Sequence, residues 1–201
     1  APSRVTRMPW SATQIWFGDD RFVPRRDPLS NLHPLDVNLL GDGADGERAP
    51  IAAGAIHPWP TGEADATHAV RRYLAELDAS GVPHTSAGFP VFDLLLIGIG
   101  GDGHCLSVFP GSPLAHDGAP VAAGVPAPTH IEPHVPRLSF SLGVLASSRG
   151  VLAMAPGAGK AQALARIFDA ATLVADAPAK AALIPTATWL LDEASATELS
   201  A

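Results

Sequence analysis

The sequence predicts an α/β fold with a mainly parallel sheet flanked by helices, in one domain spanning residues 1–201. Three observations carry that reading. Phe92 to Ile99 is a continuous apolar run closed by Gly100-Gly101, the pattern of a parallel strand covered on both faces. Other short apolar or alternating runs are separated by stretches with helical spacing, the order expected of strands alternating with helices. Hydrophobic residues make up 47% of the 201 and charged residues 16%, a balance that supports one buried core and argues against disorder.

In chain order, Ile15-Trp16-Phe17 is a short buried strand that stops at Gly18 and empties into the polar loop Gly18-Asp19-Asp20-Arg21. Pro24, Pro28 and Pro34 among charges rule out a regular helix there, and GDGADGERAP at 41–50 is equally irregular. Val70, Tyr73, Leu74 and Leu77 recur at helical spacing, and Ser80-Gly81-Val82-Pro83 ends the pattern, so 63–77 holds one amphipathic helix. The run at 92–99 is placed mid-sheet. Proline and glycine over 110–136 compete with regular structure; Leu138, Phe140 and Leu142 then alternate with Ser139 and Ser141 as a half-buried strand does. Gly150 to Ala155 is a further apolar run, Pro156-Gly157-Ala158-Gly159 turns, and Leu164, Ile167 and Phe168 mark a helix. A last apolar run, Thr188 to Ala194, meets acids. There is no internal repeat.

The formal charge is −7, and the only lysines are Lys160 and Lys180, which excludes non-specific nucleic-acid binding. An anionic ligand would need the few cations gathered at one place. Cys105 is the single cysteine and forms no internal disulfide, so a cytoplasmic protein is expected. No apolar run approaches the roughly 20 residues that cross a bilayer, and no membrane contact is expected. A monomer is the expected state.

Gly98-Ile99-Gly100-Gly101-Asp102-Gly103 satisfies the G-x-G-x-x-G pattern after a strand, but Pro110-Gly111-Ser112-Pro113 leaves no room for the full helix a dinucleotide site requires. What survives is a glycine-rich turn at a strand end whose N–H groups favour an anion or oxyanion. His104 follows that turn; a packed or solvated histidine is the alternative, and the Asp-Gly-His placement favours a general base. Cys105 beside it reads as a small buried residue, since neighbours in sequence usually diverge in direction. His130 and His134 lie four apart around Glu132, as zinc-binding helical pairs do, but Pro128, Pro133 and Pro136 forbid that helix, and no metal is expected. Gly157-Ala158-Gly159-Lys160 lacks the leading glycine of an ATP loop and has Ala161 where Ser or Thr should hold Mg²⁺. Lys160 still suits a phosphate as a point charge; a solvated lysine is the alternative. Asp19-Asp20-Arg21 fits a surface turn equally well as a site.

Together these residues resemble the 6-phosphogluconolactonase family. Residues 15–40 (IWFGDDRFVPRRDPLSNLHPLDVNLL) are similar to its strand, Gly-Asp-Glu-Arg-x-Val-Pro and downstream Ser-Asn; 92–111 (FDLLLIGIGGDGHCLSVFPG) to its Phe-Asp-Leu strand and Gly-x-Gly-x-Asp-Gly-His-x-x-Ser-Leu-Phe-Pro block. Residues 137–167 resemble its Arg-x-[ST] strand and the Gly-x-x-Lys that opens a helix, and 188–194 (TWLLDEA) its closing Trp-x-Leu-Asp-Glu-Ala. The resemblance implies a doubly wound sheet like that of the glucosamine-6-phosphate isomerases/deaminases. It further implies hydrolysis of 6-phospho-D-glucono-1,5-lactone in the pentose phosphate pathway without metal or cofactor, the partner being that small sugar phosphate lactone. By the same resemblance His104, with Asp102, would be catalytic; Arg21 and Lys160 would bind the 6-phosphate; Asp19, Asn31, Gly100, Gly101 and Asp102 would line the sugar and carbonyl; Arg137 is a further substrate-binding candidate. Asp20 stands where the family usually has Glu, and Cys105-Leu106 where small residues are common. The family's N-terminal strand, helix and Ser-Gly-Gly-x-Thr-Pro phosphate turn have no counterpart in residues 1–14. Two other readings are carried: an amino-sugar-phosphate isomerase/deaminase, disfavoured because Cys-Leu-Ser-Val-Phe-Pro follows His104 instead of Ile-Ala-Phe-Asn-Glu-Pro, and a non-catalytic sugar-phosphate-binding module or inactive remnant.

Overall fold

A computed structural model describes residues 7–41 and 48–199, so most of the 41–50 stretch lies outside the described residues. The strands are β1 (Ile15–Trp16), β2 (Asp19–Arg21), β3 (Ile56–His57), β4 (Leu95–Gly98), β5 (Ala122–Val125), β6 (Arg137–Phe140), β7 (Val151–Met154) and β8 (Ala187–Leu190). The α-helices are α1 (Leu32–Leu35), α2 (Ala66–Ala79), α3 (Gly143–Ser147) and α4 (Ala161–Phe168). β1 pairs with β3 and the order β4-β7-β8 forms a second sheet, all parallel; β2-β6-β5 is antiparallel. The fold is α/β, with mainly parallel pairing and flanking helices. No helix among the described residues is long and apolar enough to cross a membrane.

Five expectations change. The proline-bearing stretch expected to hold no regular helix runs into α1, where Pro34 sits in the first turn and its missing N–H costs no intrahelical bond. Asp19-Asp20-Arg21 is a strand and not a loop, because each residue pairs antiparallel with β6: Asp19 with Ser139, Asp20 with Leu138, Arg21 with Arg137. The proline-rich 110–136 stretch contains β5, which pairs with the other edge of β6. β6, expected to be half-buried, is buried at all four positions because it is the middle strand of its sheet. Ser139 is tolerated there because its hydroxyl donates to Phe140 O (2.8 Å) and accepts from Ser107 N–H (3.1 Å), which satisfies the buried hydroxyl. Among the described residues β4 is an outer strand and β7 the central one of their sheet. Its side chains alternate, Leu95 and Ile97 buried and Leu96 57% exposed, so this apolar run is covered on one face.

α2 forms where the spacing places it and starts one turn earlier than its apolar stripe. Asp65 caps it by accepting His68 N–H at 2.8 Å, and Gly81, at φ +81°, ends it beyond Ser80. Its face Ala69, Tyr73 and Leu77 is fully buried against Trp59 and Phe140. Trp59 stacks on Tyr73 with centroids 3.9 Å apart. Both rings also grip the backbone of Phe17: Trp59 Nε1–H donates to Phe17 O (2.9 Å), and the Tyr73 hydroxyl accepts Phe17 N–H (2.9 Å) and donates toward Phe17 O (3.0 Å) and His57 O (3.2 Å). That clamp fixes the chain just before Asp19. Tyr73→Phe keeps the ring but strands the Phe17 N–H, and is expected to cost about 1–3 kcal/mol. Urea unfolding checks it; an unchanged midpoint would contradict the clamp.

Candidate active site

β4 ends at Gly98, and the next seven residues close a tight loop by their own hydrogen bonds. Gly100 N–H donates to His104 O (2.8 Å), Gly103 N–H to Gly100 O (3.1 Å), and Ile99 bridges Cys105. Inside it the Asp102 carboxylate folds back: Oδ1 accepts His104 N–H at 3.1 Å and lies 2.5 Å from His104 Nδ1. A carboxylate only accepts, so Nδ1 carries a proton, and in the neutral ring Nε2 keeps its lone pair. The imidazole is 20% exposed and Asp102 17%, sheltered yet reachable. Burial pushes the Asp102 carboxyl up, but the hydrogen bonds and charge of His104 and a bond from His130 outweigh it and hold it well below the usual range. The stability this gives is present above the unfolded carboxyl value near ~4 and is lost as pH falls towards the depressed one.

The glycine at 100 is required by this geometry. A Cβ there would stand 2.1 Å from His104 Nδ1 and 2.7 Å from Asp102 Oδ1. Gly100→Ala is therefore expected to displace the ring and cut turnover by about 10²-fold in a protein that still folds, because a misplacement of ~1 Å has that scale of effect. Steady-state kinetics beside a thermal melt checks this; full activity in the variant would contradict it. Gly100 serves the loop and not a ligand through its N–H, which His104 O already occupies. The Gly101 and Asp102 N–H groups have no protein acceptor among the described residues.

The second half of the site comes from β2. Asp19, partly buried, accepts from the Ser107 hydroxyl at 2.6 Å, which ties β2 to the loop after His104. Burial raises its carboxyl, while Ser107 and the charges of Arg21, His104 and Arg137 oppose the rise. Asp20 is buried and structural: its Oδ1 accepts Arg21 N–H and Asn31 N–H, both at 2.7 Å, and its Oδ2 accepts the Ser30 hydroxyl, pinning the 22–31 loop back onto the strand. Arg21 Nη1 donates to Leu29 O (3.0 Å) and Asn31 Oδ1 (2.7 Å), while its Nε is buried without a partner. Asn31 donates to Asp19 O at 2.8 Å, so both ends of its amide brace Asp19 and Arg21. Across the strand pair, Arg137 stands opposite Arg21, buried, with Nε on Val135 O and Nη2 on Pro133 O. Its guanidinium lies 6.0 Å from the Phe109 ring, which itself lies 4.7 Å from the His104 ring. Burial, then the charge of Arg21, lowers Arg137. Two like charges facing each other in register is unfavourable unless an anion joins them.

Lys160 precedes α4 on a turn beside the 99–105 loop, with Gly159 O 3.6 Å from where a Cβ on Gly101 would sit. Its ammonium has no protein partner among the described residues. The turn is held by Asp192, whose carboxylate accepts Gly157 N–H at 3.0 Å and Ser195 N–H at 2.8 Å; those two bonds lower its carboxyl. Cys105 is fully buried, its thiol pushed up to about 12 by burial and by the Asp19 charge, which suits packing and not nucleophilic attack. His130 and His134 face different partners, Asp102 and the Pro128 carbonyl. The site thus joins Asp19, Arg21, Asn31, Gly100, Gly101, Asp102, His104 and Arg137, with Lys160 on the adjoining turn. Sequence reasoning passed over Asp20 and His130 as site residues; Ser107 was visible as the serine of the Asp-Gly-His-x-x-Ser block.

A tethered imidazole beside a cluster of under-partnered cations is the arrangement on which comparison with known proteins bears. The sequence pattern of the family described as glucosamine-6-phosphate isomerases/6-phosphogluconolactonase matches residues 1–190. The chain belongs to that family. It is 35% identical over 193 residues to the 6-phosphogluconolactonase of Streptomyces coelicolor, covering 94% of this chain and 71% of that one. The 6-phosphogluconolactonase of Mycobacterium leprae is 29% identical, covering 98% and 77%. The solved 6-phosphogluconolactonase of Trypanosoma brucei superposes with a TM-score of 0.71 at 27% identity, over 91% of this chain and 73% of that one. These similarities lie on the lactonase side of the family.

Proposed function

We propose that the chain hydrolyses 6-phospho-D-glucono-1,5-lactone to 6-phospho-D-gluconate, the pentose phosphate pathway reaction, acting as a cytoplasmic monomer. The observation that carries this reading is the His104–Asp102 pair at 2.5 Å, which leaves Nε2 free as a base, set beside the cations Arg21, Arg137 and Lys160. A chain of net charge −7 accepts an anionic sugar phosphate only where its cations are gathered; in support, Arg21 and Arg137 stand opposite each other on β2 and β6, and Lys160 follows Gly159, whose carbonyl approaches Gly101.

In the proposed reaction His104 Nε2 takes a proton from water as the water oxygen bonds to the lactone carbonyl carbon. The carbonyl electron pair moves onto its oxygen, where the Gly101 and Asp102 N–H groups receive the oxyanion. Asp102 holds the Nδ1 proton and stabilises the imidazolium. When the oxyanion collapses, the bond from the former carbonyl carbon to the ring oxygen breaks and His104 returns its proton to that oxygen. Water supplies every added atom, so the balance calls for no cofactor. Arg21 and Lys160 hold the 6-phosphate, with the remaining N–H groups of Arg137 available to the same anion; Asp19, kept in place by Ser107, faces the sugar hydroxyls.

The test is to offer the purified chain freshly generated 6-phosphogluconolactone and, separately, glucosamine-6-phosphate. Acid release above the spontaneous rate on the first, with no ammonia from the second, is expected. Ammonia release would assign the isomerase/deaminase chemistry instead, and binding of the lactone without turnover would assign a binding module.

A further inference from the structure

His130 lies outside every motif the sequence brought forward for catalysis, yet its ring is bonded to the carboxylate that orients His104. Its Nε2 is 2.9 Å from Asp102 Oδ2, while Asp102 Oδ1 is 2.5 Å from His104 Nδ1. One carboxylate therefore serves two imidazoles, one at each oxygen. Phe109 fills the space between them: it meets His130 edge-on, at 90° with centroids 5.7 Å apart, and lies 4.7 Å from His104. The backbone that carries His130 is itself held, by Arg137 on Pro133 O and Val135 O and by His134 on Pro128 O. His130 is 47% exposed, so this contact is not demanded by burial of its own ring.

Resting on the lactonase reading above, we propose that His130 is a positioning residue for the reaction: by donating its Nε2–H to Asp102 Oδ2 it fixes the carboxylate plane and keeps Oδ1 on the His104 Nδ1–H. A ligand's partner that is oriented by a further hydrogen bond is a familiar way to hold an imidazole tautomer. The charged and titratable groups facing this trio are the Asp19 carboxylate, Arg137 over the Phe109 ring, Arg166, which donates to the Asp102 backbone carbonyl, and Glu132 on the segment of His130, which pairs with His134. Among the described residues only His130 bonds Asp102 Oδ2.

Loss of His130 has two consequences of known sign. The carboxylate plane is freed, so fewer encounters present a correctly aimed Nε2 and kcat falls. The negative charge of Asp102 is no longer shared with a second donor, so it holds the His104 proton more firmly and the acid limb of the rate profile moves to higher pH. A neutral or a protonated His130 gives the same direction. A side chain that only packs against the loop moves neither limb.

The experiment compares the chain with His130→Ala and His130→Gln by kcat and KM against pH, and follows the His104 Cε1 proton by NMR titration, assigned by its absence in His104→Ala. His130→Ala is expected to lower kcat about tenfold with little change in KM, to raise the pH of the acid limb, and to shift the His104 titration the same way without any substrate. His130→Gln, whose amide donates a hydrogen bond, is expected to restore most of kcat. Superimposable profiles and titrations in a folded His130→Ala overturn the inference, as does a Gln variant no better than Ala. If the parent chain hydrolyses no lactone, the lactonase reading fails, while the NMR titration still decides whether His130 acts on His104 through Asp102.

Discussion

His104→Ala is expected to lower kcat on 6-phosphogluconolactone by about 10²–10⁴-fold, the range of a lost general acid–base group. The reason is local. Nε2 lies opposite the ring nitrogen that Asp102 holds, and in the proposed reaction the same group both takes and returns the proton. KM should change little, because the cations proposed to hold the phosphate lie elsewhere, on β2, β6 and the turn before α4. Residual acceleration over water is expected from the Gly101 and Asp102 N–H groups, which the substitution leaves in place. Steady-state kinetics with a melting curve on the same preparation checks this. A folded variant that retains parental kcat would remove His104 from the chemistry.

Arg21→Gln should act on the other parameter. Its guanidinium is braced by Leu29 O and Asn31 Oδ1 and faces Arg137 across the strand pair, so the fork is held before any ligand arrives. Removing its charge is expected to raise KM for the phosphorylated lactone about 10–150-fold, the ~1.5–3 kcal/mol of a hydrogen bond between charged groups. The unphosphorylated lactone supplies the control: its hydrolysis should be nearly indifferent to the change. The variant also relieves the repulsion between Arg21 and Arg137, so its melting temperature should be level with or above that of the parent. Equal losses on both lactones would place Arg21 in general loop structure and not at the phosphate.

Much of this site was legible because its chemistry is compressed into short stretches. Gly100 to His104 is one loop, and a glycine whose Cβ would meet the His104 ring leaves a trace in sequence as Gly-Gly-Asp-Gly-His. The helix at 66–79 was legible because its buried stripe repeats at helical spacing over several turns. What sequence reasoning missed depends on pairing between distant segments. Asp19-Asp20-Arg21 carries no strand pattern, and its strand exists because β6, more than a hundred residues on, supplies the partner. β5 hid among prolines for the same reason. The run at 92–99 read as doubly covered because leucine and isoleucine occupy both faces, while the structure buries only alternate side chains. Asn31 and Gly100 carry internal bonds that sequence does not show: Asn31 braces Arg21 and Asp19, and Gly100 N–H donates to His104 O. His130 gave no signal because its carboxylate partner is 28 positions away and joined only by the path of the 126–136 segment.

The central claim is that this loop and these cations together hydrolyse a phosphorylated lactone. The most direct measurement is acid release at neutral pH from freshly generated 6-phosphogluconolactone and from its unphosphorylated counterpart, each corrected for spontaneous hydrolysis, using the purified chain. Saturable turnover that strongly favours the phosphorylated lactone is the predicted result. A folded chain that accelerates neither lactone, or that treats the two alike, would contradict the account.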